Sequence, residues 1–415
     1  LGHCEPDVIV YPHTHREVAA AALFSRSHTT RICVGEAEAG EIAYEEFVAG
    51  GAETPPPALP PELEDCVIGY TSGTTGRPKG AVGTHMNLVV GGFIGAREWE
   101  LQPSDVVFGS TPMAHRTGLT RMANMFQFGC PLIMQPRFDP ADAVDLIERE
   151  GVTVLGGVPT IVRMMMPEIE KRPEACATLR LVSATGELFE PGLRERLFKA
   201  LPHVGLNSFL AQTEGGAIAT VRPGQQAWKP LAMGRPIPGL EVRLVDRDFK
   251  DVTLGEPGEI VVRCGKPGQY TVMREYYRDL EATKAAFVDG WFRTGDVGWE
   301  DEDGFLYFAD RAKDMIVSGG LNIYSKEVEL ALLDHGAVED AAVFGVPDTE
   351  FGEAVAAVVV LAPGKTVEPE TLIEHCRSRI ASYKKPKHIR FLDALPRTST
   401  GKVLKYELKE MFAEG

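Results

Sequence analysis

Cysteine is scarce and scattered: seven in 415 residues, an odd count with no CxxC pair. That excludes a disulfide framework and a paired-cysteine zinc site, and it fits reduced thiols in the cytoplasm. No apolar run approaches the ~20 residues of a membrane-spanning helix, so no transmembrane segment is expected. The longest run, residues 354–362, reads as a buried strand. The opening LGHCEPDVIV has no charged n-region followed by an apolar core, so no signal peptide is visible. Basic side chains are outnumbered, 43 against 59 acidic, for a formal net charge of −16. A general nucleic-acid binder needs the opposite balance and is excluded. An anionic ligand is not excluded, because backbone N–H groups can hold phosphate locally. There is no HExxH, and no GxSxG or GxGxxG in a usable context; His13 and His15 alone make no metal site.

What is present is an alternation of short apolar runs and helical patterns, which predicts an α/β fold. Residues 1–50 hold apolar runs at 8–10 and 32–34 and a helical stretch at 18–24. ETPPPALPPELED, residues 53–65, follows as an extended, proline-fixed connector. From 66 to about 310, strands at 152–155, 179–182 and 204–209 alternate with helices at 141–150 and 191–201. Strands at 241–245 and 259–263 lie close together, as a smaller β-rich piece. The pattern then restarts. A helix at 325–333 with Ser325 as N-cap, strands at 341–345 and 354–361, a helix carrying Leu372, Ile373, Cys376 and Ile380 on one face, and a last helix at 404–412 make a unit of about 100 residues. The expected domains are 1–312 and 313–415: a large, multi-subdomain α/β core and a small, mobile α+β C-terminal domain.

The most informative string is YTSGTTGRPKG, residues 70–80, directly after the apolar residues 67–69. Its glycines let the backbone turn tightly and approach a ligand. Thr71, Ser72, Thr74 and Thr75 offer hydroxyls, Gly73 and Gly76 leave backbone open, and Lys79 adds a cation; together they form a cradle for polyphosphate oxygens. A Walker A loop needs Gly-Lys-Ser/Thr opening a helix, whereas here Gly80 follows Lys79, and Pro78 disfavours helix at Arg77.

The whole string resembles the nucleotide-phosphate loop of the adenylate-forming (AMP-binding) superfamily: acyl-CoA synthetases, firefly-type luciferases and peptide-synthetase adenylation domains. Further family motifs occur in order, so the resemblance runs from about residue 1 to the end, with the family's usual N-terminal segment expected to be missing. AQTEGG, residues 211–216, is similar to the motif in which Thr213 contacts the α-phosphate and Glu214 binds Mg²⁺, the hard-cation chemistry of a carboxylate beside ATP. Where the family has Tyr-Gly this chain has Leu210-Ala211, which leaves Phe209 as the ring for adenine. Gly186 and Glu187 in SATGEL resemble an adenine-pocket segment, with a plain turn after a strand as the other reading. The resemblance makes Asp296 of FRTGD an acceptor for both ribose hydroxyls and Arg311 of DRAKDMI a ribose donor, and puts the hinge at Lys313. It places Gly319 and Gly320 on the CoA pantetheine tunnel, with a helix-preceding turn as the alternative. Lys402 of PRTSTGKVLK becomes the catalytic lysine and His115 of STPMAHRTGL the gate beside the substrate carboxylate.

The reaction implied is ATP-dependent activation of a fatty or aryl carboxylic acid to acyl-AMP, then thioester formation with coenzyme A. ATP, Mg²⁺, CoA and the acid are the expected small-molecule partners; homo-oligomerisation is left open. An adenylating enzyme that loads a carrier protein or oxidises its adenylate is one alternative. Amino-acid activation fits less well, since residues 112–118 lack an aspartate to pair an α-amine. A non-catalytic nucleotide-binding fragment is the other alternative. Gly156 and Gly157 either leave room for a bulky acyl chain or are packing glycines.

Overall fold

The computed structural model describes residues 3–23, 28–54, 61–71, 78–186, 189–397 and 403–413. Tertiary contacts divide the chain into two compact units, Leu1–Pro61 and Glu62–Gly415, and the cut falls in the proline-rich connector. In the first unit the strands Val8–Pro12, Thr30–Val34 and Ile42–Ala43 form a parallel sheet, with helices Arg16–Ala22 and Tyr44–Ala49. Tyr11, Ala19 and Cys33 make its small core. Glu41 accepts from Tyr11 at 2.6 Å and from Arg16 Nε at 3.0 Å.

A twelve-stranded sheet dominates the second unit. Its spatial order runs Glu241–Val245, Gly258–Arg263, Trp291–Glu300, Leu306–Arg311, Ala232–Pro236, Gly216–Val221, Gly205–Gln212, Leu181–Thr185, Val154–Gly157, Val107–Gly109 and Leu132–Ile133, with Phe287–Val288 paired beside Trp291–Glu300. From Gly205–Gln212 to Leu132–Ile133 the pairing is parallel; on the other side of Gly205–Gln212 it is antiparallel. The β-rich piece is therefore the antiparallel half of the same sheet.

The parallel half is buried by helices whose ends are written locally. Pro140–Glu150 starts from Asp139, whose carboxylate accepts from the amides of Ala141 and Asp142, carries Pro140 in its first turn, and stops at Gly151 with φ +63°. Its Val144 and Ile147 pack with Val162, Met166 and Ile169 of Pro159–Lys171 and Leu193 and Leu197 of Pro191–Ala200 over strand residues Leu155, Val182 and Leu206. Each such side chain removed from water contributes roughly 1.5–3 kcal/mol.

Two smaller sheets complete the second unit. Asp65–Thr71 and Lys79–Thr84 form an antiparallel hairpin with Glu275–Tyr276 on its other edge. Leu321–Ile323, Ile316–Ser318, Gly352–Leu361 and Val338–Asp348 form the C-terminal sheet, with His388–Phe391 parallel to Gly352–Leu361. Both faces of that sheet are covered. Val343, Val355, Ala357 and Val359 meet Val328, Leu332 and Leu372 on one side, while Phe344, Ala356 and Val358 meet Leu395 and Leu408 on the other. Double-sided burial explains the unbroken apolar run at 354–362.

Helix Ser325–Leu333 departs from expectation at its start. Ser325 is its first helical residue, the N-cap is Tyr324, and no side chain on the segment caps it. Instead the buried Asp310 carboxylate, from the strand Leu306–Arg311, accepts from the Ser325 amide and from its hydroxyl at 3.1 Å. The cap is supplied by tertiary structure, which the sequence pattern does not display. No helix among the described residues is long and apolar enough to cross a membrane.

Candidate active site

In parallel sheets, ligands gather where the carboxyl ends of strands meet a switch in strand order or direction. Here Val107–Gly109, Val154–Gly157, Leu181–Thr185 and Gly205–Gln212 end at one cavity of about 950 Å³, lined by the residues that follow them: Ser110, Val158, Gly186 and Thr213. His115, Asp296 and Arg311 line the same cavity. Five sequence-derived candidates far apart in the chain, His115, Gly186, Thr213, Asp296 and Arg311, thus share one space. Phe209, Leu210 and Ala211 also line it, so a ring is present beside the positions where the family motif has Tyr-Gly.

Asp296 and Arg311 are cross-strand partners in register, and Arg311 Nε lies 2.8 Å from Asp296 Oδ1. Asp296 is 1% exposed. Its other oxygen accepts from Gln212 Nε2, which also donates to the Thr294 carbonyl at 2.9 Å. Gln212 sits one residue before Thr213 and was not singled out from the sequence; only its partner across the sheet discloses its role.

The Thr213–Glu214 turn is held from three sides. Arg116 donates to the Thr213 carbonyl at 2.5 Å and to the Thr271 carbonyl at 2.6 Å. Met273 donates its amide to the Glu214 carbonyl at 2.7 Å. Glu214 Oε1 accepts from the Thr71 hydroxyl at 3.0 Å and the Tyr276 hydroxyl at 3.2 Å. Burial brings the Arg116 guanidinium down to about 10, with Glu214 acting against it. Burial, then the nearby Glu214 charge, pushes the Tyr276 phenol well above its usual range. Arg116 follows His115 directly, so its neighbour was the available signal; nothing local marks Tyr276.

Thr71 and Lys79 are paired across the hairpin, so they are the two posts from which the glycine-rich loop springs. Lys79 Nζ stands 5.1 Å from the Tyr276 ring centroid, a cation–π contact. Ser72, Gly73, Thr74, Thr75 and Gly76 lie outside the described residues, as do Glu187 and Lys402. Arg397, five residues before Lys402, lines the cavity.

Among the described candidates Thr71, Lys79, Glu214, Lys313, Gly319 and Gly320 are not lining residues of the cavity, although Glu214 directly follows its lining residue Thr213 and accepts from Thr71. Lys313 is exposed in the turn after Leu306–Arg311. Gly319 and Gly320 form the two-residue turn between Ile316–Ser318 and Leu321–Ile323, with φ of +57° and +79°. Two successive positive φ values are what a tight hairpin turn demands of glycine. Gly156 and Gly157 resolve towards packing: a Cβ at Gly156 would lie 2.4 Å from the Arg121 guanidinium carbon, and one at Gly157 2.5 Å from Ser110 Oγ. Among the described residues no cluster of three His, Cys, Asp or Glu side chains could hold a metal by itself. Glu214 with phosphate oxygens and water matches Mg²⁺, which is commonly held by one or two carboxylates and substrate phosphates.

Comparison with known proteins gives a consistent picture. Residues 1–277 match the model of the AMP-binding enzyme family, and residues 327–402 match the AMP-binding enzyme C-terminal domain. Indoleacetate–CoA ligase of Aromatoleum aromaticum is 35% identical over 422 residues, covering 100% of this chain and 80% of the relative. Feruloyl-CoA synthase of an Amycolatopsis species is 35% identical, covering 98% of this chain and 79% of the relative. The ATP-bound crystal structure of MatB from Rhodopseudomonas palustris superposes with a TM-score of 0.87 at 30% identity, covering 99% of this chain and 80% of that one.

Proposed function

The chain belongs to the AMP-binding enzyme family, and from that premise we propose that it is an AMP-forming acid–CoA ligase that uses ATP to activate a carboxylic acid. One observation carries the reading: a single cavity at the switch of the sheet joins His115, Gly186, Thr213, Asp296 and Arg311. We place the activity in the cytoplasm, in keeping with seven free cysteines.

In the first half-reaction a carboxylate oxygen of the acid attacks the α-phosphorus of ATP and pyrophosphate leaves. Asp296 accepts from the ribose hydroxyls and Arg311 holds Asp296 in place. Gly186 and Glu187 edge the adenine. Thr213, its backbone fixed by Arg116, donates to the α-phosphate. The loop from Thr71 to Lys79 takes the β- and γ-phosphates. Glu214 is the residue that would hold Mg²⁺, which when bound would offset the negative charge of the phosphates. His115 sits beside the acid's carboxylate. Two anions must approach each other, so a positioned cation is required, and Lys402 is assigned that part. In the second half-reaction the CoA thiolate attacks the acyl carbon, AMP leaves with the bonding pair, and the thiol proton passes to solvent. Residues 313–415, turning at Lys313, present Lys402 first and the Gly319–Gly320 turn second, a domain-scale gating step.

The test separates the half-reactions. Lys402→Ala is expected to abolish pyrophosphate release yet still convert supplied acyl-adenylate to thioester. Gly320→Leu is expected to do the reverse. A Cβ at Gly320 meets nothing within 4 Å but its φ is +79°, so Gly320→Ala, which carries the same backbone strain, serves as control. Equal loss of both half-reactions in both variants would refute the two-face mechanism, and absence of any CoA thioester would refute the acceptor.

A further inference from the structure

Arg121 is a buried cation of the cavity for which the ligase chemistry above has no use. It lies on the helix Arg116–Phe128, six residues beyond His115, about 9 Å further along the helix axis. It is 5% exposed and lines the cavity. Its guanidinium carbon stands 4.7 Å from the Trp99 ring centroid. Gly156 makes the room, since any Cβ there would strike the guanidinium.

Among the described residues nothing neutralises this charge. No carboxylate among the described residues comes within ion-pair reach of Arg121, and its Nε has no hydrogen-bond acceptor. The indole N–H of Trp99, buried against it and lining the same cavity, is a second donor without a partner. Elsewhere the fold pairs arginines with buried carboxylates: Arg180 with Asp105 at 2.7 Å and Arg222 with Glu98 at 2.8 Å. In a chain of net charge −16, acidic partners are not in short supply. Burial draws Arg121 down to about 10, so it stays charged at neutral pH. An uncompensated buried cation is costly, and its compensation must then come from the ligand.

We infer that the acid activated by this protein carries a second anionic group, a distal carboxylate or sulfonate, which pairs with Arg121 while the carboxylate being activated lies at His115. The inference rests on the ligase reading. The helix rise sets the separation of the two anionic ends on the order of 9 Å, the span of a medium-length α,ω-diacid or of an aromatic ring with a short arm.

Matched acids test it: octanedioate against octanoate, and 3-(4-carboxyphenyl)propanoate against 3-(4-methylphenyl)propanoate. Pyrophosphate release and the thermal shift on adding acid are read in wild type, Arg121→Met and Arg121→Lys. Wild type is expected to favour the dianion by about 100-fold in kcat/KM, and Arg121→Met to lose that factor through KM while keeping the neutral-tailed acid. Arg121→Lys is expected to restore part of it. Wild type acting on both members of each pair within about 3-fold, or favouring the neutral tail, overturns the inference and leaves the ligase reading standing. A dianion-specific thermal shift that Arg121→Met abolishes, without pyrophosphate release from any acid, overturns the ligase reading and keeps the anion site. Should Arg121→Met not fold, the wild-type preference alone decides.

Discussion

Replacing Asp296 by asparagine changes one charge and almost no volume, so its effects divide cleanly between fold and ligand. Asp296 is buried, accepts from Arg311 at 2.8 Å and from Gln212, and faces the cavity. An amide can still offer its oxygen to Arg311. Its NH₂ then confronts the NH₂ of Gln212, which is pinned by donating to Thr294 at 2.9 Å. One hydrogen bond to a charged group is lost and a donor is left facing a donor, a cost of about 1.5–3 kcal/mol. Arg311, 35% exposed, regains water as it loses its counter-charge, which offsets part of that cost. A net loss of about 1–2 kcal/mol of stability is expected, a few degrees of Tm in a domain of this size. The nucleotide loses more. A carboxylate that accepts from two ribose hydroxyls contributes about 1.5–3 kcal/mol for each, so KM for ATP should rise about 100-fold or more, with kcat changed far less. Pyrophosphate release against ATP concentration, at saturating acid, measures the first effect, and thermal denaturation the second. A variant whose melting point falls while KM for ATP moves less than about 3-fold would show that Asp296 is only a structural partner of Arg311.

Two further predictions concern stability. Hydrogen bonds from Arg16, then Tyr11 and the Glu38 amide, hold the Glu41 carboxyl at about 2, below its ordinary 4.5. A lowered carboxyl stabilises the fold above its unfolded value and loses that contribution as pH falls from 4.5 towards 2. Hydrogen-exchange protection in the strand Thr30–Val34, corrected for intrinsic rates, should decline through that window and lose this dependence in Glu41→Gln; identical acid profiles would count against the pairing. Gly156→Ala places a methyl 2.4 Å from the Arg121 guanidinium, which Trp99 backs, and should cost about 1–3 kcal/mol. Gly192→Ala, where a Cβ meets nothing within 4 Å, should be neutral or slightly stabilising; equal melting points for the two variants would refute the packing account.

The candidate site was legible in proportion to how local its chemistry is. Thr213, Asp296 and Arg311 stand in short strings, and the cavity gathers them. Arg121 lies two residues beyond STPMAHRTGL, and nothing there marks it apart from a surface arginine; its burial depends on Trp99 and Gly156, 22 and 35 residues away in the chain. Tyr276 and Gln212 escaped notice for the same reason, since each is defined by a partner on another strand.

By itself the sequence determined the elements: apolar runs with turn residues became strands, and Asp139, Pro140 and Gly151 bounded a helix, because propensity and capping act within a few residues. Only tertiary structure decided that Glu241–Val245 and Leu132–Ile133 belong to one sheet, that Asp310 caps the helix at Ser325, and that Arg121 is buried with no counter-charge among the described residues. Strand order, borrowed caps and desolvation are set by groups distant along the chain, and no local pattern encodes which of them will meet.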